Sequence, residues 1–307
     1  MNTKTLYQST LKSADTEEFI DLWFYRPLGF RTALLAAKLR ITPNMITVAS
    51  IFIGIAAGVL FYYNDLWINI IGMLLLMIAN LFDSADGQLA RMTNNKTKLG
   101  RILDGVAGNI WFVTIYFALA FRVLATGFYG WSDVWIWVVG WSAGICHIQH
   151  AAMGDYYRNI HLYFMTRGKG GEFDNSKQIN EELRSCSFMR EPLRKVLLWF
   201  YRNYTKQQEA PTPNFQRFIA KVNLAYPNNE LPETLCAEFR AKSKLLMKYT
   251  NILQFNTRAI ALFICLFINQ PFLYFLFDLV VLNGIMLYMI YRHERICKNF
   301  YHNMVNV

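Results

Sequence analysis

The sequence predicts an all-α integral membrane protein with six transmembrane helices, an N-terminal interfacial amphipathic helix and a cytosolic helical insert. Two observations carry that expectation. First, 54% of the 307 residues are hydrophobic and only 17% are charged, against roughly 25% charge in ordinary soluble domains. Second, six apolar runs reach or approach the ~20 residues that a helix needs to cross a bilayer: Met45 to Tyr63, Trp67 to Ala90, Leu99 to Phe121, Val134 to Ala152, Ile252 to Asn269 and Phe272 to Tyr291.

The segments follow in order. Residues 1–40 form a cytosolic or interfacial N-terminal segment without the short apolar core of a cleavable signal peptide, so the first span is expected to direct insertion. Within it, Asp15 followed by Glu18 marks a helix start with Phe19, Leu22 and Trp23 on one side, and Pro27 is expected to bend that helix. The continuation LGFRTALLAAKLR mixes Leu and Phe with Arg and Lys, in the manner of a helix lying in the interface. Residues 41–166 hold spans one to four. Residues 167–249 turn polar and carry Pro192, Pro211, Pro213, Pro227 and Pro232 between short amphipathic pieces, which reads as a cytosolic helical insert. Residues 250–307 hold spans five and six and a cytosolic tail.

The net charge of +10 suits nucleic acid, an anionic membrane or a phosphate-bearing substrate. Its distribution chooses among them. Arg26, Arg31, Lys38 and Arg40 precede the first span; Arg91, Lys96, Lys98 and Arg101 lie between the second and third; a long basic stretch follows the fourth; Arg292, Arg295 and Lys298 follow the sixth. The other connections carry chiefly Asp65, Arg122 and Asp133. By the positive-inside rule both termini are expected to be cytoplasmic. Membrane lipids are therefore expected partners and nucleic acid is not. The bacterial inner membrane is the favoured location and the endoplasmic reticulum the alternative. Cys146, Cys186, Cys236, Cys265 and Cys297 are widely spread, and their spacing suggests neither a disulfide framework nor a zinc site.

Residues 83 to 108 read DSADGQLARMTNNKTKLGRILDGVAG, and carboxylates inside an apolar pair of spans need a physical reason. An acid at the centre of a membrane helix costs about 2.5–3.5 kcal/mol, so such residues face a partner, a cavity or an ion. At 100° per residue Asp83, Asp86, Gly87 and Ala90 share one helical face with Arg91 at its margin. The short connection MTNNKTKL brings Asp104 within reach of the first two acids. Hard carboxylate oxygens beside small residues suit Mg2+ or Mn2+ that also binds phosphate oxygens. Gly87, Ala90 and Gly100 would let a phosphate or base approach the backbone, while Arg91, Lys98 and Arg101 would offset its charge. The alternative is an interhelical salt-bridge cluster of the acids with Arg91 or Arg101.

The spacing Asp83-x2-Asp86-Gly87-x2-Ala90-Arg91-x8-Gly100-x3-Asp104 resembles the signature of the CDP-alcohol phosphatidyltransferases. ITPNMIT, at Ile41 to Thr47, is similar to the way that family enters its first span. The resemblance covers spans one to four and leaves out the insert. It implies a six-helix membrane fold, usually a homodimer, with Asp83, Asp86 and Asp104 as metal ligands and Gly87, Ala90, Arg91 and Gly100 as nucleotide-binding positions. The reaction it implies joins the phosphoryl group of a CDP-activated lipid or alcohol donor to the hydroxyl of a polar alcohol acceptor and releases CMP. The fourth Asp of the family's pattern, the proposed base, is Gly108 here.

A replacement base is sought in GICHIQHAAMGDYYRNIH at the end of the fourth span. There His147, His150, Gly154 and Arg158 share one helical stripe, and imidazole titrates near neutral pH without help. The same histidines can serve instead as interfacial polar groups. Arg158 and Arg258, near cytosolic ends of spans, suit an anionic acceptor such as a polyol phosphate, or equally lipid headgroups. The function expected is transfer of a phosphatidyl group from CDP-diacylglycerol to inositol phosphate or glycerol phosphate. The alternatives are a CDP-choline or CDP-ethanolamine type phosphotransferase acting on diacylglycerol, and a CDP-binding membrane protein impaired by Gly108. A transporter predicts inverted repeats and midplane acids, and the sequence has neither.

Overall fold

The computed structural model describes residues 3–11, 13, 15–95, 97–127, 132–168, 175–228 and 230–305, and within them every regular element is a helix. In chain order these are α1 (Thr3–Ser9), a π-helical turn (Asp21–Tyr25), α2 (Arg26–Lys38), α3 (Pro43–Leu60), α4 (Leu66–Met92), α5 (Lys98–Thr126) and α6 (Asp133–Met165). There follow α7 (Ser176–Ser185), α8 (Pro192–Glu209), α9 (Pro213–Ala225), α10 (Glu233–Lys244) and α11 (Met247–Ile252). The chain ends with α12 (Phe255–Phe267), α13 (Phe272–Leu276), a second π-helical turn (Phe277–Leu282) and α14 (Asn283–Val305).

Four stretches among the described residues are long and apolar enough to cross a membrane: Pro43–Leu60, Leu66–Met92, Ile102–Thr126 and Phe272–Met304. They coincide with expected spans one, two, three and six. The expected fourth span lies in α6, which is 33 residues long but whose apolar run is diluted by His147, Gln149 and His150. The expected fifth lies in α12, which is apolar but only 13 residues long, short of the ~20 that span a bilayer.

The chain divides into two compact units, Met1–Cys146 with Arg258–Leu279, and His147–Thr257 with Val280–Val307. In the first, α3 packs against α4 and α5, and α2 lies along α4. Two N-caps start the long helices: Thr42 accepts from the Met45 amide ahead of Pro43, and Asp65 accepts from the Ile68 amide at 2.9 Å. Helices α3 and α5 come so close that a Cβ on Gly54 would overlap the Trp111 indole. At the other end of these helices Arg122 is buried and donates to Phe61 O, Asn69 Oδ1, Asn64 Oδ1 and Asn269 Oδ1 at 2.9–3.2 Å.

The N-terminal segment differs from its expectation in where the helix begins. Ser13 O accepts the Thr16 and Glu17 amides in a turn, and helix starts only at residue 19. Glu17 instead pairs with Arg26 at 2.9 Å. The π-helical turn immediately precedes Pro27 and closes with the Arg26 amide on Asp21 O. It absorbs the missing proline N–H where a bend was expected. Ala33 and Ala36 of α2 pack with Ile46 and Leu89. Phe19, Trp23, Leu35 and Leu39 remain 58–79% exposed, an apolar face of the kind that lies in a membrane interface.

In the second unit α14 packs against α9 and α11, and α7 against α8. Phe164 stacks on Phe239 at 3.9 Å and on Phe218 at 5.7 Å to form its aromatic centre. Gln208 Nε2 donates to Ala152 O at 2.8 Å, and the Tyr204 hydroxyl donates to Asp155 at 3.1 Å. Burial, with the Asp155 charge beside it, pushes the Tyr204 phenol well above its ordinary pKa, so it stays a donor at any working pH.

Candidate active site

The three sequence-marked acids meet in the first unit. Each of Asp83, Asp86 and Asp104 offers a carboxylate oxygen, and these atoms all lie within 4.8 Å of one another. Asp83 and Asp86 sit three residues apart on α4, so one helical face carries both. The Thr93 and Asn95 amides return to Leu89 O and Ala90 O, and Asn94 takes the left-handed conformation at φ 53°. The chain turns back within five residues, and Thr97 caps the next helix by accepting from the Gly100 amide at 2.9 Å. Asp104 follows one turn later. Helix α3 supplies the remaining contact, because the Thr47 hydroxyl donates to Asp86 Oδ2. Asp86 is buried at 3% exposure, while Asp83 and Asp104 are half-buried.

The positions expected to bind nucleotide flank the acids. A Cβ on Gly87 would lie 3.5 Å from both terminal nitrogens of Arg91, so that guanidinium stands over the glycine backbone. Arg91 Nε donates to Thr10 O at 2.5 Å, and Gln88 Nε2 donates to Thr10 Oγ1 at 3.2 Å. The N-terminal segment therefore fixes the direction in which Arg91 points. At Gly100 a Cβ would stand 2.9 Å from Thr97 Oγ1 and 3.0 Å from Asn44 Oδ1. The absence of a side chain is what lets the start of α3 approach the start of α5. Ala90 is half-buried on the face of α4 that carries Asp83 and Asp86. Lys96, and the side chains of Lys98 and Arg101, lie outside the described residues.

Gly108 stands one turn beyond Asp104, and a Cβ built there meets nothing within 4 Å among the described residues. Neighbouring Asn109 turns its amide back onto Gly105 O of its own helix at 2.8 Å.

The other sequence-marked residues are placed as follows. His147 and His150 are buried, at 4% and 0% exposure, in the part of α6 that belongs to the second unit. His150 Nε2 lies 2.9 Å from Asn283 Oδ1; as donor to that oxygen it leaves the ring's lone pair on Nδ1. Arg158, in the same unit, is half-buried. Arg258, in the first unit, is 1% exposed, and its Nη1 donates to Asp278 Oδ1 at 2.8 Å. In the sequence the only signal of this Asp278 partner is an acid in an apolar run. Thr47 was equally unmarked as a ligand to Asp86, although it is the last residue of the ITPNMIT motif.

Three carboxylates within 4.8 Å, one of them buried in apolar surroundings, repel one another strongly where water does not screen them. A divalent cation answers that repulsion, and an all-oxygen donor set fits Mg2+ or Mn2+ better than a soft metal. With a guanidinium over a bare glycine next to the acids, the arrangement is that of a helical protein with membrane-length apolar helices and an acidic cluster that could hold a divalent metal ion. The comparisons make the class specific. Residues 40–153, somewhat over a third of the chain, match the family model of the CDP-alcohol phosphatidyltransferases. An archaetidylinositol phosphate synthase of Pyrococcus horikoshii is 29% identical over 104 residues, which cover 34% of this chain and 52% of the relative. An uncharacterized protein of Aquifex aeolicus is 39% identical over 67 residues, 22% of this chain and 33% of the relative. The chain thus spans about half the length of the first relative and a third of the second.

Proposed function

We propose that this protein is a membrane phospholipid synthase that transfers a phosphatidyl group from CDP-diacylglycerol to the hydroxyl of inositol phosphate or glycerol phosphate and releases CMP. The observation that carries the proposal is the convergence of Asp83, Asp86 and Asp104 inside the segment that matches the family. The name of the Pyrococcus relative supports the choice of an inositol phosphate acceptor.

A divalent metal bound to the acids would neutralise the pyrophosphate and the departing CMP. Asp83, Asp86 and Asp104 would hold it, with Thr47 fixing the Asp86 carboxylate. Arg91, aimed by Thr10, would meet a phosphate brought close by Gly87 and Gly100. In the transfer the acceptor oxygen forms a bond to the diacylglycerol-bearing phosphorus, the bond from that phosphorus to CMP breaks, and the hydroxyl proton passes to a base. Gly108 provides no carboxylate for that last step, and we assign it to His147 or His150. The proposal places the enzyme as a dimer with six spans and both termini cytoplasmic, in a bacterial inner membrane.

The test is CMP release by the purified protein in nanodiscs with CDP-diacylglycerol and each acceptor. Release that requires Mg2+ or Mn2+, stops with EDTA and falls at least ~100-fold in Asp83→Asn, as loss of an electrostatic ligand does, supports the proposal. Release only with diacylglycerol and CDP-choline or CDP-ethanolamine overturns the acceptor class. Gly108 favours a second reading, a CDP-binding protein that does not turn over. Activity in Gly108→Asp from a wild type that is inert with every acceptor would establish it. Unchanged turnover in both His147→Ala and His150→Ala removes the histidines from the mechanism.

A further inference from the structure

We infer that His293, Glu294 and Cys297 form a second metal site, built for a zinc-type cation that anchors α14 within its unit. The three residues are buried and their ligand atoms lie within 4.8 Å of one another. His293 and Cys297 are four residues apart and share a face of α14, with Nδ1 and Sγ 3.5 Å apart. A tetrahedral ion with a nitrogen at about 2.0–2.1 Å and a sulfur at about 2.3 Å sets that edge at about 3.5 Å. The separation of the two atoms is thus the one such an ion imposes.

Glu294 supplies an oxygen held in place. Its carboxylate accepts the Asn214 amide at 2.6 Å and the Phe215 amide at 3.1 Å, capping α9. With the Asn214 side chain also donating to it, the carboxylate keeps one lone pair for a cation, and these donors fix its orientation as outer groups do around metal ligands.

A separate observation concerns the polar groups beside this pocket. Tyr157, 1% exposed, has a buried hydroxyl with no hydrogen-bond partner among the described residues. Its ring lies 4.3 Å from that of His293, and it is close enough to feel the charges of Glu294 and Cys297. An unsatisfied buried phenol costs about 1–3 kcal/mol, which coordination as a fourth ligand would remove. The same holds for His293: with Nδ1 against Cys297, its buried Nε2 has no partner among the described residues. A thiolate with an imidazole selects zinc over the hard cations suited to the three Asp. Binding would release the Cys297 proton to solvent.

The test uses the full chain expressed with zinc and purified in detergent. Elemental analysis is expected to find stoichiometric zinc that survives dialysis against Mg2+. That content should be kept by Asp83→Asn and drop to background in Cys297→Ser and His293→Gln. Because loss of the fold in those variants would also remove zinc, cobalt exchanged into the wild type provides the second reading: a thiolate-to-cobalt charge-transfer band is expected. Wild type that takes up no zinc, cobalt bound without that band, or zinc retained by Cys297→Ser each overturns the site. None of these readouts depends on transferase activity.

Discussion

Asp86 is the acid most dependent on its neighbours, being buried, close to two other carboxylates and held by the Thr47 hydroxyl. A hydrogen bond to a charged group contributes about 1.5–3 kcal/mol, so Thr47→Val is expected to raise the Mg2+ concentration for half-maximal CMP release by roughly tenfold or more. A metal titration of the variant checks this, and an unmoved midpoint would mean that Thr47 does not hold the acid. Gly108 is the opposite case, because no described residue comes within 4 Å of a Cβ built there. Gly108→Asp should melt at the wild-type temperature and lower the Mg2+ requirement, since residues 104 and 108 lie one turn apart on the same helical face. Loss of the fold would show that α5 is more tightly packed at this point than its surroundings imply.

Among the elements, the pairing of α3 with α5 rests on the missing side chain at Gly54, where a Cβ would overlap Trp111. Gly54→Ala is expected to cost about 1–3 kcal/mol through overpacking. Gly105→Ala, on the same α5 with nothing within 4 Å, should instead be neutral or stabilising by up to ~1 kcal/mol. Thermal unfolding of the two variants in one detergent separates them. Arg122 joins the ends of α3, α4 and α5 to the turn after α12. In the sequence it is merely one charge in a sparsely charged connection. Arg122→Met leaves four acceptors without their donor and is expected to destabilise by about 2–4 kcal/mol, again measured by melting.

For the molecule as a whole, the alternation of basic and neutral connections predicts that both termini face the cytoplasm. A fluorescent protein fused after residue 307 should fluoresce, and alkaline phosphatase fused there should be inactive. The reverse result would place the C-terminus outside the cytoplasm and overturn the orientation read from the basic connections. Four helices satisfy the length and apolarity of a span, and either four or six crossings keep the termini on one side.

The sequence by itself determined the helical class, the positions of the apolar helices and the identities of the three acids. Those features are local: the length of an apolar run, a cap such as Asp65, and the spacing of Asp83 and Asp86 on one turn all act between near neighbours. The regular expectation failed first at Asp15, where a turn around Ser13 and the pairing of Glu17 with distant Arg26 displaced the helix start. Only tertiary structure decided that Thr47 meets Asp86, that Thr10 aims Arg91, that Asp278 pairs with Arg258 and that Tyr157 lies beside His293. Each of those contacts joins residues tens of positions apart or more. They exist because packed helices bring polar groups together away from water, where every donor and acceptor left without a partner costs free energy.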